Sequence, residues 1–304
     1  MADGVLISGG SGLLALNWAI ARRDIDNVTL GLHTRRVSLA RVATHELTLD
    51  NDAAIEHALD QVEPSLVVHT AGLTSVEACE ADPAAAHIIN VTLAERLARI
   101  CARQGVAMAH ISTDHLLRGD RPLLDESVPP DPQNVYGATK AEAERRVLDA
   151  NPQALVVRTN FYAWGPTYRR SFSEEVIDAL RAGRSLTLFT DVYYTPILAE
   201  GLAHAVHDLV DRRLTGLVHV VGDERLSKYA FGLKLAEAFQ LDAGPIREGR
   251  ITDQPSLARR PLDMSLSNAR ARQCLGRPLG GVDVQLARLV AQEQQGQVNE
   301  LKGL

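Results

Sequence analysis

The sequence predicts an α/β protein: a doubly wound parallel sheet with helices on both faces, followed by a smaller mixed α/β C-terminal lobe. Three observations lead there. Short β-branched, apolar runs alternate with helix-period segments through the first half of the chain. A glycine turn, Gly9-Gly10-Ser11-Gly12, separates the first strand from the first helix. Tyr136 and Lys140 lie four residues apart, after a strand that ends in Ser112-Thr113-Asp114.

The strands read as Val5 to Ser8, Val28 to Leu32, Leu47 to Leu49, Leu66 to Thr70, Ala107 to Ser112 and Leu155 to Thr159. Helical periods near residues 12–23, 51–62, 83–103 and 134–150 separate most of them, as βαβ units require. Continuous apolar strands such as Leu66-Val67-Val68 fit a sheet buried on both sides. After Asn160 the rhythm changes. Helices are expected at 171–183, 197–213, 227–240 and 282–297, with short strands near 186–190 and 216–221. The polar tail from Gln292 onward is expected to fray.

The chain has 304 residues, 45% of them hydrophobic and 23% charged, which suits a globular protein with a substantial core. Its net charge of −6, from 32 basic and 38 acidic side chains, excludes a non-specific grip on nucleic acid or an anionic membrane. No apolar run reaches transmembrane length, and the short one at the N-terminus is not a signal peptide. Cys79, Cys101 and Cys274 are odd in number and lack metal-ligand spacing, so no metal is expected. Cys101 falls on the apolar face of a helix, as a reduced core residue. These features read as a cytoplasmic protein.

The run Gly9-Gly10-Ser11-Gly12-Leu13-Leu14-Ala15 is built to hold a pyrophosphate. Glycines let the chain turn tightly, and backbone N–H groups at the helix N-terminus meet the anion. The residues after the second strand select the dinucleotide. An acidic side chain there would bind the ribose 2′-hydroxyl of NAD; this chain offers His33-Thr34-Arg35-Arg36 instead. Two guanidinium forks suit a 2′-phosphate, which favours NADP(H). Asp50 is a candidate adenine contact, or else the cap of the following helix. Thr70-Ala71-Gly72, at the end of another strand, leaves room for the nicotinamide ribose.

At four-residue spacing, Tyr136 and Lys140 share a helix face about 5–6 Å apart at Cβ. An ammonium beside a phenol is expected to lower the phenol pKa from about 10 and ready it for proton transfer to a carbonyl. Thr113 places a hydroxyl beside the same helix, and Arg158-Thr159-Asn160 ends the next strand.

Taken with these motifs, further runs give the chain a resemblance over nearly its whole length. They are Thr70-Ala71-Gly72-Leu73-Thr74-Ser75-Val76-Glu77, Asn90, Asn134-Val135-Tyr136-Gly137-Ala138-Thr139-Lys140 and Arg259-Arg260-Pro261-Leu262-Asp263-Met264-Ser265-Leu266. The chain resembles the extended short-chain dehydrogenase/reductases, and within them the dTDP-4-dehydrorhamnose reductase group of nucleotide-sugar 4-ketoreductases. The resemblance implies a Rossmann domain over 1–160 that binds NADP and a substrate-binding lobe over 161–304, partly interleaved with the sheet. It implies that Tyr136 gives a proton to the carbonyl oxygen, that Lys140 holds the nicotinamide ribose, and that Thr113 hydrogen-bonds the carbonyl. It also implies that Thr74, Val76, Asn160 and Arg259 or Arg260 meet the substrate. The partners it leaves open are a nucleotide sugar and a second copy of the chain, as a homodimer.

The chain departs from the group's pattern in two places. His115-Leu116-Leu117-Arg118-Gly119 stands where an aromatic pair and Asp-Gly are common, and Tyr194-Thr195-Pro196 where Ser-Pro-Thr is. His115 follows Thr113-Asp114, so the acid pair of the related 4,6-dehydratases is missing. Two alternative readings stay open. One is a nucleotide-sugar 4-epimerase, which retains NAD; the other is a non-catalytic, NADP-binding regulatory subunit resembling the β chain of methionine adenosyltransferase.

Overall fold

The computed structural model describes residues 4–254 and 258–304. In the first half, strands β1 (Gly4–Ser8), β2 (Asn27–Leu32), β3 (Ala43–Glu46), β4 (Leu66–His69), β5 (Ala107–Ile111) and β6 (Leu155–Arg158) alternate with helices. These helices are α1 (Leu13–Arg22), α2 (Asp52–Val62), α3 (Val76–Ala81), α4 (Pro83–His87), α5 (Leu93–Gln104) and α6 (Val135–Ala150). The second half holds strands β7 (Phe161–Tyr162), β8 (Leu186–Phe189), β9 (Tyr193–Tyr194), β10 (Ile197–Leu198), β11 (Gly216–His219), β12 (Leu226–Ser227) and β13 (Ile246–Gly249). Its helices are α7 (Phe172–Arg181), α8 (Ala199–Asp211), α9 (Lys228–Ala238), α10 (Ala269–Leu275), α11 (Val282–Gln294) and α12 (Gln297–Lys302).

Seven strands form one parallel sheet in the order β11-β6-β5-β4-β1-β2-β3, so the edge strand beside β6 comes from the second half. Alternate residues along each strand feed the two faces. Val5, Ile7, Val68, Ala109 and Val157 pack with Trp18 of α1 and with Leu202 and Val206 of α8. Leu6, Val67, Met108 and Val156 pack with Ile55, Leu97, Ile100 and Cys101 of α2 and α5 on the other face. Both faces are dry, which explains why these strands read as continuous apolar runs. The strand order reverses between β1 and β4, and ligands of such sheets sit outside the strand ends at that switch point.

Three expectations change. The third strand is Ala43–Glu46, ahead of the expected Leu47–Leu49. It pairs with β2 alone, Leu47 N still meets Leu32 O at 2.7 Å, and the Leu47 and Leu49 side chains pack under α2. The single helix expected over 83–103 is α4 and α5 joined by a π-helical turn at Ile88–Thr92. That turn aims Asn90 inward, where it bonds Leu73 N and O at 2.7 and 3.0 Å and Thr139 Oγ1 at 3.0 Å. Wide turns inside helices commonly serve sites in this way.

The tail does not fray. α12 buries Leu301, and Arg23 Nη2 meets Glu300 Oε2 at 2.9 Å, tying the C-terminus to the first helix. Strand β13, which had no expectation, pairs with β8.

Candidate active site

Gly9 has φ +71°, and a side chain there would come within 2.8 Å of the Ala71 backbone. Only glycine lets β1 turn so close to the end of β4. Gly10 N donates to Gly31 O at 2.9 Å, which folds the turn onto β2 and leaves the α1 N-terminus, capped at Gly12 without a side chain, open to the crevice. Free N–H groups there attract anions. Thr70 donates to Ser8 O at 2.7 Å and locks β4 to the turn.

The crevice has a volume of about 440 Å³. Gly9, Ser11, Gly12, Leu13 and Leu14 line it on one side, and Thr70, Ala71, Gly72 and Thr74 continue the wall. Ser112, Tyr136 and Lys140 close it from β5 and α6. The pyrophosphate turn and the Tyr–Lys pair, more than a hundred residues apart, thus face one space. Asn134 caps α6 by accepting from Gly137 N at 2.8 Å, which fixes Tyr136 in the first turn of the helix.

The electrostatics differ from the expected lysine-activated phenol. Burial pushes Tyr136 up to about 12, with the Thr113 side chain pulling the other way and Asp114 adding to the rise. The Lys140 ammonium donates instead to Ile111 O at 2.7 Å and lies 3.3 Å from His110 Nε2. Burial lowers Lys140 to about 8. Register explains its neighbours: Ser8, His69 and His110 stand side by side on β1, β4 and β5. Ser8 Oγ bonds His69 Nδ1 at 2.7 Å, and the two imidazoles stack 5.2 Å apart. Burial holds both rings neutral, His69 near 3. Lys140 is therefore the charged member of this row at neutral pH.

Thr113 Oγ1 donates to Asp114 Oδ1 at 3.2 Å, and Asn160 Nδ2 binds the other oxygen of Asp114. Beneath them Ser112 Oγ donates to Glu144 at 2.5 Å, and Glu144 meets Arg158 at 2.8 Å in an ion pair almost wholly out of solvent. This support clamps β5 and β6 to α6.

Not every residue singled out from sequence lines the crevice. Val76 is buried and packs with Cys79, Ala86 and Tyr136, backing the tyrosine. Arg259 lines a second cavity of about 410 Å³ with Arg118, Gln133 and Arg260. Arg260 is paired with Glu77. His33, Thr34, Arg35 and Arg36 are exposed beyond the crevice; Arg36 meets Glu46 at 2.8 Å, and Arg35 lies 3.9 Å over the Tyr168 ring. Asp50 is exposed, and Asn51 caps α2 in its place by accepting from Ala54 N at 3.3 Å.

Sequence reasoning missed Arg169 and Arg170, which line the crevice from the segment after Trp164. Arg169 donates to Thr74 Oγ1 at 2.6 Å, and Tyr168 to Ser11 O at 2.8 Å, so this segment lies across the opening. The adjacent arginines were visible in the sequence, but no motif linked them to the turn.

A doubly wound sheet with a phosphate turn at its switch point and a Tyr–Lys pair in the same crevice defines the extended short-chain dehydrogenase/reductase class. The model of the RmlD substrate binding domain matches residues 3–295, and the chain belongs to that family. The probable low-salt glycan biosynthesis reductase Agl14 of Haloferax volcanii is 28% identical, over 94% of this chain and 96% of its own. The methionine adenosyltransferase 2 subunit beta of Xenopus tropicalis is 30% identical, over 82% of this chain and 75% of its own. The dTDP-4-dehydrorhamnose reductase of Bacillus anthracis, solved in complex with NADP, superposes with a TM-score of 0.82 at 21% identity, covering 96% of this chain and all of that one. That likeness is one of fold.

Proposed function

We propose that the chain is an NADPH-dependent reductase of the 4-keto group of a 4-keto-6-deoxy sugar linked to a nucleoside diphosphate. The observation that carries this reading is the shared crevice: Gly9, Ser11, Gly12, Tyr136 and Lys140 all line it. The residues present fit a dinucleotide. The glycine turn admits a pyrophosphate against open N–H groups, and Arg35 and Arg36 lie exposed after β2, where a 2′-phosphate would sit. The Bacillus anthracis relative was crystallised with NADP. When bound, NADPH supplies a hydride to the carbonyl carbon.

The protein's own groups handle the oxygen. With its pKa near 12, Tyr136 is protonated at neutral pH and can give its proton to the developing alkoxide. Thr113, beside it, holds the carbonyl oxygen in line. Lys140, anchored on Ile111 O, holds the nicotinamide ribose. The residue range 161–304 supplies the sugar-binding side.

The test is incubation with NADPH and a panel of nucleotide 4-keto-6-deoxy sugars, following the absorbance of reduced nicotinamide. Stoichiometric oxidation with one member supports the reading. Tight NADPH binding without oxidation by any member removes it. A second reading, a regulatory subunit, is favoured by the 30% identity to the methionine adenosyltransferase β chain. Co-purification with a synthetase, together with a silent panel, would establish it. Interconversion of two sugars without net NADPH loss would instead mark an epimerase.

A further inference from the structure

Lys228 opens α9 and belongs to none of the motifs described above. Its backbone N–H donates to Val192 O at 2.9 Å, and Ser227 caps the helix through Ala230 N, so the residue is firmly placed. The ammonium lies 3.5 Å from the centroid of the Tyr194 ring and 4.5 Å from that of Phe172. Phe172 itself lines the crevice.

Among the described residues Lys228 Nζ has no hydrogen-bond acceptor and no ion-pair partner. An ammonium carries three N–H donors, and aromatic faces attract it without satisfying them. Burial lowers Lys228 to about 8, with Asp114 pulling upward and Arg260 pushing down. Asp114 is already engaged by Asn160 and Thr113. It also influences Tyr136, so one carboxylate acts on both the lysine and the proposed acid.

Two more unpaired groups lie beside the lysine and its aromatic neighbours. The Tyr194 and Tyr162 hydroxyls are buried without a partner among the described residues. Both rings pack on Phe231, at 5.7 and 5.0 Å, and Phe231 stacks on Phe172. Lys228 is only partly buried, so its ammonium keeps open donors over these rings. Donors left open 4.5 Å from Phe172, a residue of the crevice wall, are free to meet a ligand there.

We infer that Lys228 is the specificity-determining residue for the sugar: it donates to an oxygen of the nucleotide-linked hexose from beside Phe172, in the crevice that Tyr136 also lines. This rests on the nucleotide-sugar reading above. The experiment is titration calorimetry on the full chain with dTDP-glucose, UDP-glucose and the bare dTDP and UDP, for the wild type, Lys228→Met and Lys228→Gln.

Lys228→Met is expected to weaken the better nucleotide sugar by at least about tenfold, as loss of a charged hydrogen bond does. Bare nucleotide and NADPH should bind as before, and the melting temperature should hold or rise. Lys228→Gln, which keeps a neutral donor, should fall between the two and serves if the methionine variant does not fold. Equal affinity of the variants and the wild type for both nucleotide sugars overturns the assignment. So does a wild type that binds neither sugar more tightly than its bare nucleotide, or a loss that extends equally to NADPH. Binding needs no turnover, so a silent substrate panel with a sugar-specific loss at Lys228 would defeat the reductase reading alone.

Discussion

Replacing Lys140 by methionine tests how the crevice lysine is held, and the outcome follows from one titration. Lys140 is buried, 6% exposed, and burial lowers it from 10.5 to about 8. Below pH about 8 the ammonium is charged in both the folded and the unfolded chain, and the folded state bears the whole cost of burying it. Between about 8 and 10.5 the unfolded chain still holds the proton that the folded chain has released, so stability rises with pH. Above 10.5 both states are neutral and the cost is gone.

At about 1.4 kcal/mol per pKa unit, the stability of the wild type relative to Lys140→Met should climb by roughly 2–3 kcal/mol from pH 7 to pH 10. Lys228 titrates in the same window, but it does so in both proteins and cancels. Urea unfolding of both proteins without nucleotide, followed by the fluorescence of Trp18 and Trp164, measures the difference. Curves that stay parallel within about 0.5 kcal/mol across that range would refute a buried, charged Lys140.

Three further outcomes test the site. Tyr136→Phe should lower turnover by at least about 10²-fold with NADPH affinity retained, measured by steady-state kinetics and nucleotide fluorescence; near-normal rates would remove it as the acid. Arg35→Ala combined with Arg36→Ala should weaken NADPH about tenfold or more while NADH affinity stays nearly constant, and equal losses would mean that neither arginine reads the phosphate. Glu144→Gln leaves Arg158 buried opposite a neutral amide and should cost about 3–5 kcal/mol in denaturant unfolding, against almost nothing for an exposed pair such as Arg145–Asp149.

The elements that carry their own local pattern were legible. The β1 run, the glycine turn and the α1 period announce a dinucleotide turn, because glycine tolerance and helix-end chemistry act within a dozen residues. Tyr136 and Lys140 were legible for the same reason: a single helical turn fixes their spacing. What surrounds them was not. The expected coupling of Lys140 to Tyr136 gave way to burial and to the Ile111 carbonyl, and both depend on how α6 settles against β5. Asp50 lost the capping role to its neighbour Asn51, a one-residue choice that backbone dihedrals decide.

By itself, then, the sequence determined the layered α/β architecture, the glycine turn and the shared helix face of Tyr136 and Lys140, since period, turn residues and spacing are local. Only the tertiary structure decided that Arg169 and Arg170 line the crevice, that Glu144 braces Arg158, that the tail docks through Leu301, and that Lys228 stands between two rings without an acceptor among the described residues. Those contacts join residues far apart in the chain, and their energies come from packing and desolvation, which leave no period to read.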